Sequence, residues 1–183
     1  MNTRFFFEPF PVISLKDIIL REITLSDSEH YLNYMNRAEM LNSLTKEHIP
    51  DTREKAIEEL QYWGGLFKNK RSIYWAIALA ENNRLIGTAG FNHISFVNSK
   101  AEISYDLDPD YWGRGIMLKS IKNIIRFIEN LGVVRIQATV TVDNINSIKL
   151  LERCDFAQEG CMKKFEIVNG VYKDYYMYAR IIS

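Results

Sequence analysis

Between Asp106 and Met117 runs DLDPDYWGRGIM, a β-like segment that ends at Asp108-Pro109 and passes through Gly113 and Gly115 into a helical pattern. Upstream, Glu102, Ser104 and Asp106 alternate with Ile103, Tyr105 and Leu107, the pattern of a strand with two unlike faces over Ala101 to Leu107. Downstream, Met117, Ile121, Ile124, Ile125, Ile128 and Leu131 form an apolar stripe opposite Lys119, Lys122 and Arg126, and Gly132 closes the helix. Val134, Ile136, Ala138 and Val140 then alternate with Arg135, Gln137 and Thr139. Ala101 to Val140 therefore reads as a β-α-β crossover whose two strands lie parallel. A proline and two glycines also serve plain strand-to-helix turns. Here the crossover puts them beyond the carboxyl ends of parallel strands, where ligands collect in open α/β sheets. The unpaired N–H groups and dipole of a helix start attract an anion at that place.

The rest of the chain supplies partners for this unit. Ile18 to Ile23 is a β-branched run ending at Thr24, and Ser26 with Glu29 has the spacing of a capping box before a helix carrying Tyr31, Leu32 and Met35. Asp51 with Glu54 repeats that spacing before Ala56, Leu60, Trp63 and Phe67, so two helices precede the main sheet. Ile73 to Ala80 and Leu85 to Ile94, joined at Glu81 to Arg84, read as an antiparallel hairpin. After the crossover, Asn144 caps a short helix carrying Ser147, Ile148, Leu150 and Leu151. Phe156 to Ile167 and Val171 to Ile182 are strands joined by Asn169-Gly170, a strong hairpin signal.

Composition narrows the function classes. The chain has 183 residues, 47% of them hydrophobic, and no repeat or linker divides it, so residues 1–183 are expected to form one domain. No segment has the length of a membrane span, and MNTRFFFEPF lacks a signal-peptide pattern, which points to a cytoplasmic protein. With 23 basic and 23 acidic residues there is no global field to attract nucleic acid or an anionic membrane. Cys154 and Cys161 lack companions at metal-ligand spacing and read as structural, buried thiols, so no metal is expected. His30, His48 and His93 do not cluster in sequence, and His93 is a remote candidate for a proton relay.

The order of elements, with YWGRGIM and DNINSIKLLERCDF in place, resembles the GNAT acyltransferases over nearly the whole chain, from Ile18 to Tyr178. AEISYDLDPDY before a Trp-Gly-Arg-Gly core is similar to the branch of ribosomal-protein alanine and serine N-terminal acetyltransferases. The resemblance implies an α/β (α+β) fold: a mixed, mostly antiparallel sheet of about seven strands with flanking helices and a splayed parallel pair. It implies acetyl transfer from acetyl-CoA to a primary amine, above all the N-terminal α-amine of a (ribosomal) protein, by a monomer or homodimer. Transfer to a small amine or antibiotic, or a coenzyme A sensor without turnover, are the alternatives.

The same resemblance assigns residues. The span Trp112, Gly113, Arg114, Gly115, Ile116 and Met117 matches the pyrophosphate-binding pattern, with Trp112 and Met117 departing from the usual residue types. Leu107 matches the position whose backbone N–H meets the thioester oxygen, and Asn144 and Ser147 match an N-x-x-S element at the thioester sulfur. Amine attack needs a base and an oxyanion donor. Glu102 is the leading base and Asp106 the second, although strand carboxylates are commonly plain surface groups. Many members place an acidic tyrosine four residues after that serine, where this chain has Leu151, and Asp155 stands where glycine usually precedes Phe156. If that turn needs a positive φ, Asp tolerates it better than most residues.

Overall fold

A computed structural model describes residues 9–41 and 49–182. The N-terminal aromatic cluster up to Glu8 and His48 lie outside the described residues. Eight strands form one sheet in the order β1-β2-β3-β4-β5-β6-β8-β7. They are β1 (Ile13–Ser14), β2 (Ile18–Glu22), β3 (Ile73–Leu79), β4 (Leu85–Ser95), β5 (Lys100–Leu107), β6 (Arg135–Thr141), β7 (Ala157–Val168) and β8 (Val171–Ile181). The strand beyond the expected seven is the two-residue β1, too short for an alternation to register in sequence. All neighbouring pairs are antiparallel except β5 with β6, the parallel pair expected of the crossover.

Helices cover both faces. Helix α4 (Ile116–Glu129) and α5 (Ile145–Arg153) lie over one face, where Ile121, Ile124 and Ile128 join Trp75, Ile77, Ile103 and Ile136 in the larger core cluster. Helix α1 (Ser28–Met35) and α3 (Arg53–Lys68) cover the other, where Tyr31, Tyr34, Met35, Ala56 and Leu60 pack on Ala76 and Leu85. A one-turn helix α2 (Ala38–Leu41) follows α1. This two-sided cover follows from strands whose alternate residues are both apolar: Ile73, Trp75 and Ile77 point one way and Ala76 the other, all fully buried.

The caps differ from the sequence expectation by one or two residues. Thr24, not Ser26, opens the first helical turn, and its N–H donates to the Asp27 carboxylate at 2.9 Å. Asp27 is buried and gripped by both guanidinium nitrogens of Arg21 at 2.7 and 2.8 Å. Burial alone would raise its pKa, but Arg21 and Thr24 together hold it below the usual range. Before α3 the cap is Thr52, which accepts from Lys55 N–H, while Asp51 pairs with the Lys55 ammonium. Competing short polar side chains two residues apart made the wrong oxygen look like the cap. Cys154 is buried as expected, but Cys161 is exposed on β7, because that edge strand has only β8 to pack against.

Gly90 shows how tightly β3 and β4 pack. A Cβ there would overlap the Ile73 carbonyl oxygen and stand 2.7 Å from Tyr74 Cα, both main-chain atoms of the neighbouring strand. Gly90→Ala should therefore cost about 1–3 kcal/mol through backbone displacement, read as a lower urea midpoint at unchanged slope.

Candidate active site

The site is built where β5 and β6 part. Their ladder holds Lys100 to Arg135, Ala101 to Ile136 and Glu102 to Gln137, and stops there. The Ser99 carbonyl accepts from Arg135 N–H at 3.1 Å, and the Asp108 N–H donates to the Ile86 carbonyl of β4 at 2.8 Å. By the two-residue alternation of a strand, the even residues of β5 turn their backbone groups to β4 and the odd ones to β6. Beyond Glu102 the ladder leaves the backbones of Tyr105 and Leu107 facing a gap.

At the mouth of that gap sits the glycine turn. Asp108 starts a single turn over Pro109–Tyr111, its carboxylate accepting from Asp110 N–H at 3.1 Å. Gly113 and Gly115 have φ of +72° and +73°, and at both the space a Cβ would enter is open. Gly115 is the N-cap of α4, whose first turn has no acidic residue to compete for its N–H groups. The flanking side chains are not free to act there. The Trp112 indole N–H donates to the Leu107 carbonyl at 2.7 Å, and Arg114 folds back onto the Asp110 carbonyl and the Tyr111 ring. Met117 is buried in the core and Ile116 packs against it, whereas the Trp112 and Arg114 side chains stay exposed while engaged in these contacts. A cavity of about 260 Å³ beside this turn is lined by Lys16, Arg114, Lys119 and Tyr111.

The two faces of β5 carry different chemistry. On the α1 and α3 side lie Glu102, Ser104 and Asp106. Glu102 is half-buried, with Gln137 Nε2 at 3.5 Å from its carboxylate. Asp106 is spent on anchoring: Tyr34 Oη donates to it at 2.6 Å, and both the N–H and the hydroxyl of Thr88 donate to it. Burial raises its pKa and those three bonds oppose the rise. Nearby Glu59 is pushed up to about 7, first by burial and also by Asp106, against a hydrogen bond from Tyr31.

On the α5 side lie Ile103, Tyr105 and Leu107. Asn144 Oδ1 accepts from Ser147 N–H at 3.1 Å, the cap read from sequence, and Ser147 Oγ stands 2.6 Å from Tyr105 Oη. Leu151 is buried in the core. Asp155 has φ of +63°, the positive value expected of that turn, and its carboxylate meets Arg180 at 2.7 Å. His93 is exposed, and His30 lines a separate polar cavity with Tyr34, Arg37, Arg84, Asp108 and Asp110. Among the described residues no three His, Cys, Asp or Glu side chains converge as a metal site would require, and no helix is long and apolar enough to cross a membrane.

Glu59, Tyr34 and Tyr105 were not singled out from sequence. Tyr105 shares a register with Ile103 and Leu107 and so reads as core. A hydroxyl in an aliphatic row was the available signal.

Comparison with known proteins agrees with this geometry. The profile of the acetyltransferase (GNAT) domain matches residues 17–157. An uncharacterized N-acetyltransferase of Bacillus subtilis, YoaA, is 31% identical over 93% of this chain and 96% of its own length. The ribosomal-protein-serine acetyltransferase of Escherichia coli is 30% identical over 81% of this chain and 82% of its own. Among solved structures, the ribosomal L7/L12 α-N-protein acetyltransferase RimL in complex with coenzyme A superposes with a TM-score of 0.86. It is 29% identical, covering 94% of this chain and 98% of that one. The microcin C7 self-immunity acetyltransferase MccE, in complex with acetyl-CoA and AMP, gives 0.85 at 25% identity, covering 92% of this chain and 94% of that one.

The raised Glu59 pKa has a stability consequence. A carboxyl whose folded value lies above its ordinary 4.5 stabilises the fold fully below that value and loses the contribution as pH rises through about 7. Unfolding free energies from urea titrations should fall by about 1 kcal/mol between pH 5 and 8 after discounting for solvent screening, and Glu59→Gln should remove that part of the fall.

Proposed function

The chain belongs to the acetyltransferase (GNAT) family, and from that premise we propose that it transfers an acetyl group from acetyl-CoA to the N-terminal α-amine of a protein, a ribosomal protein being the leading acceptor. The observation that carries the donor assignment is the turn at Gly113 and Gly115: positive φ, open space at each Cβ position and a helix start without acidic competition. Main-chain N–H groups there hold a pyrophosphate as a helix N-terminus holds any phosphate. The residues present fit the donor, since the Tyr105 backbone and the Leu107 N–H face the gap and accept a pantetheine arm as an added strand, while the Leu107 carbonyl is taken by Trp112. The acceptor class is supported by the likeness to RimL and to the Escherichia coli ribosomal-protein-serine acetyltransferase over most of each chain.

Each residue then has a task in direct attack within a ternary complex. Glu102, on the α1 and α3 face, takes the proton of the incoming ammonium, directly or through one water. The Leu107 N–H points into the gap between the strands and meets the developing oxyanion, and Trp112 holds the Leu107 carbonyl so that this peptide keeps its orientation. Ser147, anchored by Asn144, faces the sulfur from the α5 side. As nitrogen bonds to the acyl carbon, the carbon–sulfur bond breaks and its electron pair leaves with sulfur, a tolerable leaving group with a thiol pKa of about 8.5.

Thiol release from acetyl-CoA, measured with N-terminal peptides and with polyamines, should show turnover on peptides. Tight coenzyme A binding without turnover on any amine would sink the enzymatic reading. Gly115→Trp should weaken coenzyme A binding by about 100-fold or more, since bulk enters the space the phosphates need; unchanged affinity by calorimetry would disprove the pyrophosphate assignment. For Glu102→Gln, kcat should fall about 10²-fold, and the acidic limb of the pH–rate profile should disappear. An unaltered profile removes Glu102 as the base.

A further inference from the structure

The side chain of Tyr105 enters none of the tasks above, yet its phenol oxygen lies 2.6 Å from Ser147 Oγ across 42 residues of sequence. The contact joins β5 to the first turn of α5. A serine hydroxyl has one proton and two acceptor lone pairs. If Ser147 donates to Tyr105, nothing remains to donate to a departing sulfur. If Tyr105 donates, the Ser147 proton is left for the ligand. The environment favours the second arrangement. Burial first of all pushes the Tyr105 phenol up to about 12, against the bond from Ser147, and even so raised a phenol is a stronger acid than an aliphatic hydroxyl and hence the better donor of the pair. Meanwhile Ser147 N–H is held by Asn144, which fixes the main chain from which the hydroxyl projects. One turn further along α5, Leu151 is buried in the core, and its side chain carries no proton to give.

We propose that Tyr105 is a positioning residue for acyl transfer: it donates to Ser147 Oγ and thereby turns the Ser147 proton toward the sulfur of the leaving thiol. The inference rests on the placement of Ser147 at the sulfur. Tyr105 does not deliver its own proton, because a phenol near 12 is a weaker acid than a thiol near about 8.5. The carbon–sulfur electron pair goes to sulfur, the Ser147 hydroxyl donates a hydrogen bond to it, and the thiolate takes its proton from solvent. The ammonium proton has gone to Glu102 before attack, and the second proton that nitrogen sheds as the amide forms passes to solvent, which balances the one the thiolate takes. Both hydroxyls end the cycle as they began it.

Kinetics of the full-length protein test this through a double-mutant cycle. Tyr105→Phe should lower kcat about 10-fold while KM for acetyl-CoA stays within twofold and the melting temperature is retained, because only an oxygen is lost. Ser147→Ala should lower kcat at least as much. The double variant should be no slower than Ser147→Ala alone. Replacement of Tyr105 by 3-fluorotyrosine, which keeps the hydroxyl, should restore kcat to within twofold of the wild type. Additive losses in the double variant, or a Tyr105→Phe enzyme with normal kcat beside a slow Ser147→Ala enzyme, would overturn the role of Tyr105 alone. A Ser147→Ala enzyme with normal kcat would overturn the placement of Ser147 and the proposal with it.

Discussion

The separation of β5 from β6 after three paired residues is the constraint on which the site depends. Each strand is held firmly on its outer side. β4 pairs with β5 as far as Leu107, and β8 pairs with β6 as far as Thr141. Only the inner sides, facing one another, lose their partner. A gap between two strands so held exposes backbone donors and acceptors at fixed spacing without freeing either strand to move. The alternative, a fully zipped parallel pair, would satisfy those groups internally and leave nothing for a ligand. Closing the crossover over this gap falls to α4, whose isoleucine stripe is buried against the same sheet.

The gap also divides labour between the two faces of one strand. Even residues of β5 carry the carboxylates and look toward α1 and α3, while odd residues look toward α4 and α5. In the proposed reaction an amine approaching from the first face meets Glu102, and sulfur departing on the second meets Ser147. A strand achieves this with adjacent residues because its side-chain period is two. Asp106, though on the acid face, is tied to Tyr34 and Thr88 and joins α1 to the sheet. Its three donors make it a fastener between layers, which leaves Glu102 as the carboxylate with room to act.

Much of this was legible in residue patterns. The crossover, the closing hairpin at Asn169-Gly170 and the positive φ at Asp155 each rest on a local rule of period or turn chemistry, and such rules survive folding. The helix caps were misplaced by a residue or two because Thr24 and Ser26, or Asp51 and Thr52, compete for one role. Hydrogen bonds and ion pairs with Arg21 and Lys55 decided between them. Cys161 was misread for a related reason: burial depends on what lies across from a strand, and β7 ends the sheet. Trp112 and Arg114 lie in the glycine turn, and their side chains brace it through the Leu107 and Asp110 carbonyls.

The sequence by itself determined the crossover, the glycine turn and the Asn144 cap, since these follow from side-chain period, φ preference and hydrogen bonds within a few residues. Tertiary structure alone decided where β5 and β6 part, which carboxylate is committed and which is available, and that Tyr105 meets Ser147. Those outcomes require groups tens of residues apart to be brought within 3 Å, and no local propensity encodes a distance of that kind.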